Sequence, residues 1–252
     1  MKRVFLLLFV IVFLSPLASG QLWKLRRYEI FGGFGTSQVF GDIGGYSPGD
    51  NLLGLKDFTI AQNRFNIKGG MRYRVKENLA VSFSLNYGYL HAADTKGSNV
   101  ERAYESSTSL FEPMLTAEYY FLKNDAESSY RFVRGDEVFH SFIARLDAFV
   151  YTGIGSAIYK VKPNDKLATV IEKDSGVALA IPVGFGVNYL LSPNTLVGFD
   201  LGLRYTGSDY IDGYTSQYSS SNDVYYFMTF VLTKKLKTTE KGLPSFRKEY
   251  KE

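Results

Sequence analysis

The sequence predicts an all-β fold, an eight-stranded antiparallel β-barrel of the outer-membrane type, and three observations carry that expectation. Met1-Lys2-Arg3 is a short basic start, Val4 to Leu14 is an unbroken apolar run, and Ala18-Ser19-Gly20 supplies small residues before Gln21. This is the pattern of a secretory signal peptide over residues 1–20, too short to span a membrane as a helix. Beyond it no stretch is apolar and long enough for a membrane helix. Instead segments such as Leu79-Ala80-Val81-Ser82-Phe83-Ser84-Leu85 alternate with period two. Aromatics are abundant, with 19 Tyr and 20 Phe in 252 residues, which suits strands that carry girdles at two lipid–water boundaries.

Eight segments follow this pattern. The expected strands are Arg27–Phe40, Asn63–Val75, Asn78–Ala92, Ser109–Leu122, Phe139–Lys160, Gly176–Leu190, Asn194–Gly207 and Asp223–Leu236. A tilted strand needs roughly 9–11 residues to cross a bilayer, and most of these have that length. The eighth has the weakest register, because Val224-Tyr225-Tyr226-Phe227-Met228 is apolar on both faces. With a periplasmic N-terminus, the outer connections are long: Gly41–Gln62, Ala93–Thr108, Val161–Ser175 and Ser208–Asn222. Two periplasmic turns are tight, at Lys76-Glu77 and Ser192-Pro193. Long outer loops and short inner turns are the habit of such barrels. The exception is the charged connection Lys123–Val138, longer than a hairpin requires. The chain thus divides into a signal peptide (1–20), a barrel (21–236) and a basic periplasmic tail (237–252).

Composition narrows the function. Cysteine is absent, which excludes disulfides, thiolate zinc sites and a lipoprotein anchor at the cleavage point. The formal net charge is +4, and two of those charges, Lys2 and Arg3, belong to the leader; this is not the balance of a nucleic-acid-binding protein. No phosphate loop, metal-ligand cluster or cofactor motif occurs, and no small-molecule substrate is indicated.

Setting the apolar residues toward lipid places Glu29, Lys68, Arg72, Glu112, Glu118, Arg145, Asp147, Asp200 and Arg204 in the lumen. Five acids and four bases suit a closed interior held by ion pairs, since eight strands enclose only enough room for side chains. A soluble sandwich or periplasmic lipocalin-like barrel, with the apolar face inward, would show more lysine and less balance on its solvated face. Gly153, Gly155, Ala178, Ala180, Gly184, Gly186, Gly198 and Gly202 form a wall of small residues that leaves space for the long charged residues opposite.

Histidine tests for catalysis. His91 and His140 fall at opposite rims and cannot share a site. His91, Asp94 and Ser98 lie close in sequence at the outer rim, where an acyl-transfer enzyme could use the imidazole as base. Leu52, Leu53, Leu55 and Phe58 are many apolar residues for an outer loop and suggest a short helix or lid over the mouth. On the other side, Lys123, Arg131, Arg134, Lys237, Lys241, Arg247 and Lys248 are candidate contacts for a periplasmic partner, while the same basic tail could also be a solvated extension or meet anionic lipid.

Four stretches carry a resemblance. They are Tyr28-Glu29-Ile30-Phe31-Gly32-Gly33 leading to Gly41-Asp42-Ile43-Gly44-Gly45, then Tyr151-Thr152-Gly153-Ile154-Gly155, then Ala180–Val187, and Arg204-Tyr205-Thr206-Gly207-Ser208-Asp209-Tyr210-Ile211-Asp212. In these the chain resembles the small outer-membrane barrels of the Bacteroidetes that include the PorG-type component of the type IX secretion and gliding machinery. The resemblance implies a non-enzymatic barrel that tethers a periplasmic complex or lipoprotein to the outer membrane. The basic tail has no counterpart in that pattern. A surface adhesin or ligand-binding barrel acting through its outer loops is the alternative from another class, with a rim acyl-transfer enzyme the third.

Overall fold

A computed structural model describes residues 22–44, 60–95, 99–124, 145–216, 222–239 and 241–246. The expected signal peptide, its cleavage point, the apolar loop residues Leu52 to Phe58, Ser98 and His140 lie outside these residues.

Eight antiparallel strands follow one another around the barrel: β1 (Tyr28–Phe40), β2 (Arg64–Lys76), β3 (Leu79–Ala93), β4 (Glu105–Leu122), β5 (Leu146–Pro163), β6 (Ser175–Ser192), β7 (Thr195–Thr206) and β8 (Val224–Thr238). Each pairs with its neighbour, and β1 closes on β8 from Tyr28↔Leu236 to Phe40↔Val224. Closure removes the free edges that an open sheet would expose. Among the described residues no helix is long and apolar enough to cross a membrane; the strands do it.

Alternation fixes which face meets lipid. Phe83, Leu85, Ile154, Val183, Phe230 and Leu232 are each at least two-fifths exposed and point outward, as do their counterparts on the other strands. A girdle of apolar side chains around the whole sheet is far larger than the few hundred Å² a soluble surface carries, and hydrocarbon is the solvent it fits. Short turns gather at one end with both termini, which sets that end on the periplasmic side. Register shifts between Arg74 and Lys76, Tyr120 and Leu122, and Leu190 and Ser192 all lie at this rim. They move the tight turns by one residue from the expected positions, to Glu77-Asn78 and Pro193-Asn194.

The fifth strand departs most from the sequence reading, starting at Leu146 rather than Phe139. Arg145, expected in the lumen, therefore sits in the turn before β5, and its carbonyl accepts the Leu190 amide (2.9 Å). At the C-terminus β8 runs two residues past Leu236. The chain then turns through Gly242 (φ +76°) and returns as β9 (Pro244–Ser245), pairing Lys237 with Ser245. The first part of the basic tail is thus a hairpin on the barrel rim.

Candidate functional site

Inward-facing positions build three charged layers between the periplasmic rim and the middle of the barrel. In the innermost, Glu29 is fully buried on β1 and accepts from two guanidiniums of β2, Arg72 and Arg74, both at 2.8 Å. Arg72 also pairs with Glu118 (2.6 Å), which takes further hydrogen bonds from Ser82 (2.8 Å) and Tyr120 (2.9 Å). Arg74 reaches toward Asp147 (3.8 Å), whose other oxygen accepts the Asn124 amide (2.8 Å). Lys235, opposite Glu29 in the β1–β8 register, is buried in the same layer. Aromatic faces complete the packing, with Arg72 between Phe31 and Phe149 and Arg74 over Tyr120.

One step outward, Lys68 pairs with Asp200 (2.7 Å), and Tyr151 donates to the same carboxylate (2.6 Å). Above that, Glu112 is held by Arg204 (3.3 Å) and the Tyr225 hydroxyl (2.7 Å), with Arg204 lying on the Phe227 ring. Eight of the nine expected lumen charges therefore face inward, and Arg145 lies in the turn before β5. Arg74 and Lys235 join them. The small-residue wall also has a different tenant. A Cβ on Gly184 or Gly202 would strike the Tyr151 ring or hydroxyl, and one on Gly186 would strike Phe149. Gly184 and Gly186 make room for aromatics of the adjacent β5, and Gly202 for the Tyr151 hydroxyl and the Arg204 guanidinium of its own strand.

The outer third is closed differently. Val39, Leu90, Leu110, Ile43, Leu167 and Ile211 form a buried apolar plug contributed by strands and loops together. Ile43 and Ile211 come from loops, and carboxylates pin those loops in place. Asp212 accepts the amides of Ile43 and Tyr214 (both 2.9 Å), and Asp223 accepts those of Ile211 (2.7 Å) and Asp212 (3.2 Å). Asp94 takes the amides of Gly44 (2.8 Å) and Tyr104 (3.1 Å) and pairs with Arg102 (2.7 Å), which also donates to the Asp42 carbonyl (2.8 Å). Gly41 leaves the space in which Asp212 and Asp223 approach, since a Cβ there would run into both carboxylates. Burial pushes the Asp212 carboxyl up to about 7, against the pull of its two amide donors. Asp223 is raised too, by burial first and then by Asp212 and Asp209. Among the described residues no group of three or more potential ligands is arranged to hold a metal ion.

His91 does not assemble with Asp94. Its Nδ1 lies 3.2 Å from Ser107 Oγ and its Nε2 3.7 Å from the exposed Glu105, while Asp94 is committed to Arg102 and backbone amides. The Ser107 contact follows from the strand register, which places the two residues directly opposite.

At the periplasmic rim the candidate partner residues part company. Lys123 turns its ammonium inward over the Tyr120 ring (5.1 Å), off the surface it was expected to present. Lys237 and Lys241 are exposed on the hairpin, and Arg131, Arg134, Arg247 and Lys248 lie outside the described residues. Leu22–Arg26 forms a 3₁₀ turn before β1. Two hydrogen bonds tie this entry to the hairpin, Arg27 N to Thr238 Oγ1 (3.1 Å) and the Tyr28 hydroxyl to the Gly242 carbonyl (3.0 Å).

Residues 2–237 match a single family model, described as Domain of unknown function (DUF6089). The chain belongs to that family. No curated protein matches it. Solved structures similar to it include the Neisserial surface protein A (11% identity, TM-score 0.43, covering 82% of this chain and 96% of that one). Ail, the attachment invasion locus protein of Yersinia pestis, is similar at 12% identity and TM-score 0.41, over 83% and 97%. A major outer membrane protein from Thermus thermophilus is similar at 12% and 0.41, over 82% and 99%. The family match ends at residue 237, so the returning half of the rim hairpin lies beyond it.

Proposed function

We propose that this chain is a non-enzymatic outer-membrane barrel that anchors or organises a periplasmic complex, and that the complex is the type IX secretion or gliding machinery. One observation carries the reading: the chain builds structure on the periplasmic side that barrel closure does not use. The 3₁₀ turn and the β8–β9 hairpin are ordered against each other at the rim. The connection after β4 is longer than a hairpin needs and rich in both charge signs. The outer loops, by contrast, spend their carboxylates and aliphatic side chains on closing the mouth. A filled lumen supports the absence of a transport role.

The test removes the periplasmic additions. A chain stopped after Thr238, with residues 125–138 shortened to a tight turn, is expected to fold as a heat-modifiable barrel in the outer membrane and to lose its co-purifying periplasmic partner. If that barrel still supports secretion or motility fully, while deletions within Ser208–Asn222 abolish it, the surface-loop reading replaces this one.

A further inference from the structure

We infer that the periplasmic rim carries a binding face for anionic phospholipid, formed jointly by the 3₁₀ turn before β1 and the hairpin after β8. The inference does not depend on the periplasmic-complex reading. Its basis is a juxtaposition of charge and apolar surface that the barrel itself does not require. Lys24, Arg26, Lys237 and Lys241 come from two ends of the chain that the hydrogen bonds of Arg27 and Tyr28 hold together. Among the described residues of the two segments there is no acid; in sequence Glu240 is the one carboxylate between Lys237 and Phe246.

Beside these charges are apolar side chains that stand exposed. Leu25 is 59% exposed, Leu243 60% and Phe246 69%, and all lie outside the strands that meet hydrocarbon. Trp23 belongs to the same segment, with the Arg27 guanidinium 5.0 Å from its ring centroid. An indole at a rim prefers the headgroup layer, where its ring is buried and its N–H stays wet.

Position decides in favour of a lipid surface. Outward-facing Phe230 and Leu232 end the apolar band on β8, and Lys234, exposed on the same face, follows two residues later. At about 3.3 Å per residue, Lys237 lies roughly 10 Å along the strand beyond Lys234, within the depth of a headgroup layer. Basic residues at that depth are attracted to an anionic leaflet.

The single tryptophan makes the face observable without a label. The full chain is folded into bilayers of phosphatidylcholine with a minor fraction of either brominated phosphatidylglycerol or brominated phosphatidylcholine. Trp23 is expected to be quenched roughly threefold more by the anionic bromolipid, and the preference should fall toward unity in high salt, which screens charges over a few ångströms. The variant Lys24→Gln/Arg26→Gln/Lys237→Gln/Lys241→Gln, checked for heat modifiability, should lose the preference while keeping the quenching. Salt acts on the unaltered protein, so the test stands even if the variant fails to fold. Equal quenching by both lipids, or a preference that salt leaves intact, overturns the inference. Quenching by aqueous acrylamide but by neither lipid also overturns it and gives the face to a periplasmic protein instead.

Discussion

At the periplasmic end Glu29 is buried between two guanidiniums, while at the outer mouth Asp212 is just as buried and faces backbone amides and other carboxyls. The inner acids are paired with bases, Glu29 with the adjacent β2 and Glu112, Glu118 and Asp200 across the lumen, and these pairs tie strand to strand. Among the described residues the outer acids Asp212 and Asp223 pair with backbone amides and Asp94 with Arg102 as well, and they serve as clasps for loops. Rigid strands can afford ion pairs because their side chains are held at fixed spacing. Loops offer unpaired amides instead, and a buried carboxyl that accepts two of them satisfies groups that would otherwise be left unbonded.

The sharpest way to break this comparison is to remove one inner partner. Glu29→Leu leaves Arg72 and Arg74 facing each other in a dry layer, and it is expected to cost roughly 3–5 kcal/mol. Urea unfolding in detergent micelles, followed by the electrophoretic heat shift, measures it. A loss below about 1 kcal/mol would mean that water reaches this layer.

A pH titration probes the outer end, and its sign follows from the raised carboxyls. With Asp212 near 7 in the closed loops and at an ordinary value near 3.9 once released, opening sets a proton free. Closure is therefore strongest below about pH 4, weakens as pH rises to about 7 and is level above that, a span of about 4 kcal/mol at most. Hydrogen exchange at the Ile43 and Tyr214 amides, corrected for intrinsic rates, should speed up over that window. Asp212→Asn should reduce the slope, and Asp212→Asn combined with Asp223→Asn should flatten it. A profile that Asp212→Asn leaves unchanged would place the titrating group elsewhere.

Much of this was legible in the sequence, and the reasons differ by region. Period-two alternation names the inward set directly, which is why eight of the nine expected lumen charges face the interior. Arg74 shares the parity of Arg72 but lies one residue from the expected strand end, where a side chain is usually assigned to the rim. Lys235 is hidden because β8 begins apolar on both faces, so parity gives no choice between them. Arg145 reads as part of the strand because it shares the parity of Asp147, although β5 starts only at Leu146. The outer clasp has no periodic signal at all. Its one trace is Asp209-Tyr210-Ile211-Asp212, an isoleucine set among polar residues in a loop, which is hard to explain unless the loop is buried.

A smaller effect sharpens the account of the glycine wall. Gly184→Ala places a methyl against the Tyr151 hydroxyl that donates to Asp200, and overpacking of this kind costs about 1–3 kcal/mol. Combining it with Tyr151→Ala, which removes the ring, should cost less than the sum of the two single changes. Additive costs in the double variant would show that the two sites are not in contact.

The smallest expected effect lies at the rim hairpin, where Tyr28→Phe removes a single hydrogen bond to the Gly242 carbonyl. This bond is exposed, so water replaces it readily and barrel stability should change by less than about 1 kcal/mol. The local consequence is larger than the global one. The bond and the Arg27 amide to Thr238 are what hold the hairpin against the start of β1, and β9 itself contributes only two paired residues. The substitution should therefore leave the urea midpoint unchanged while speeding proteolysis near Lys241. It should also increase the acrylamide quenching of Trp23 on the neighbouring segment. If the unfolding free energy falls by several kcal/mol instead, the hairpin is part of barrel closure, and the periplasmic additions cannot be separated from the fold that carries them.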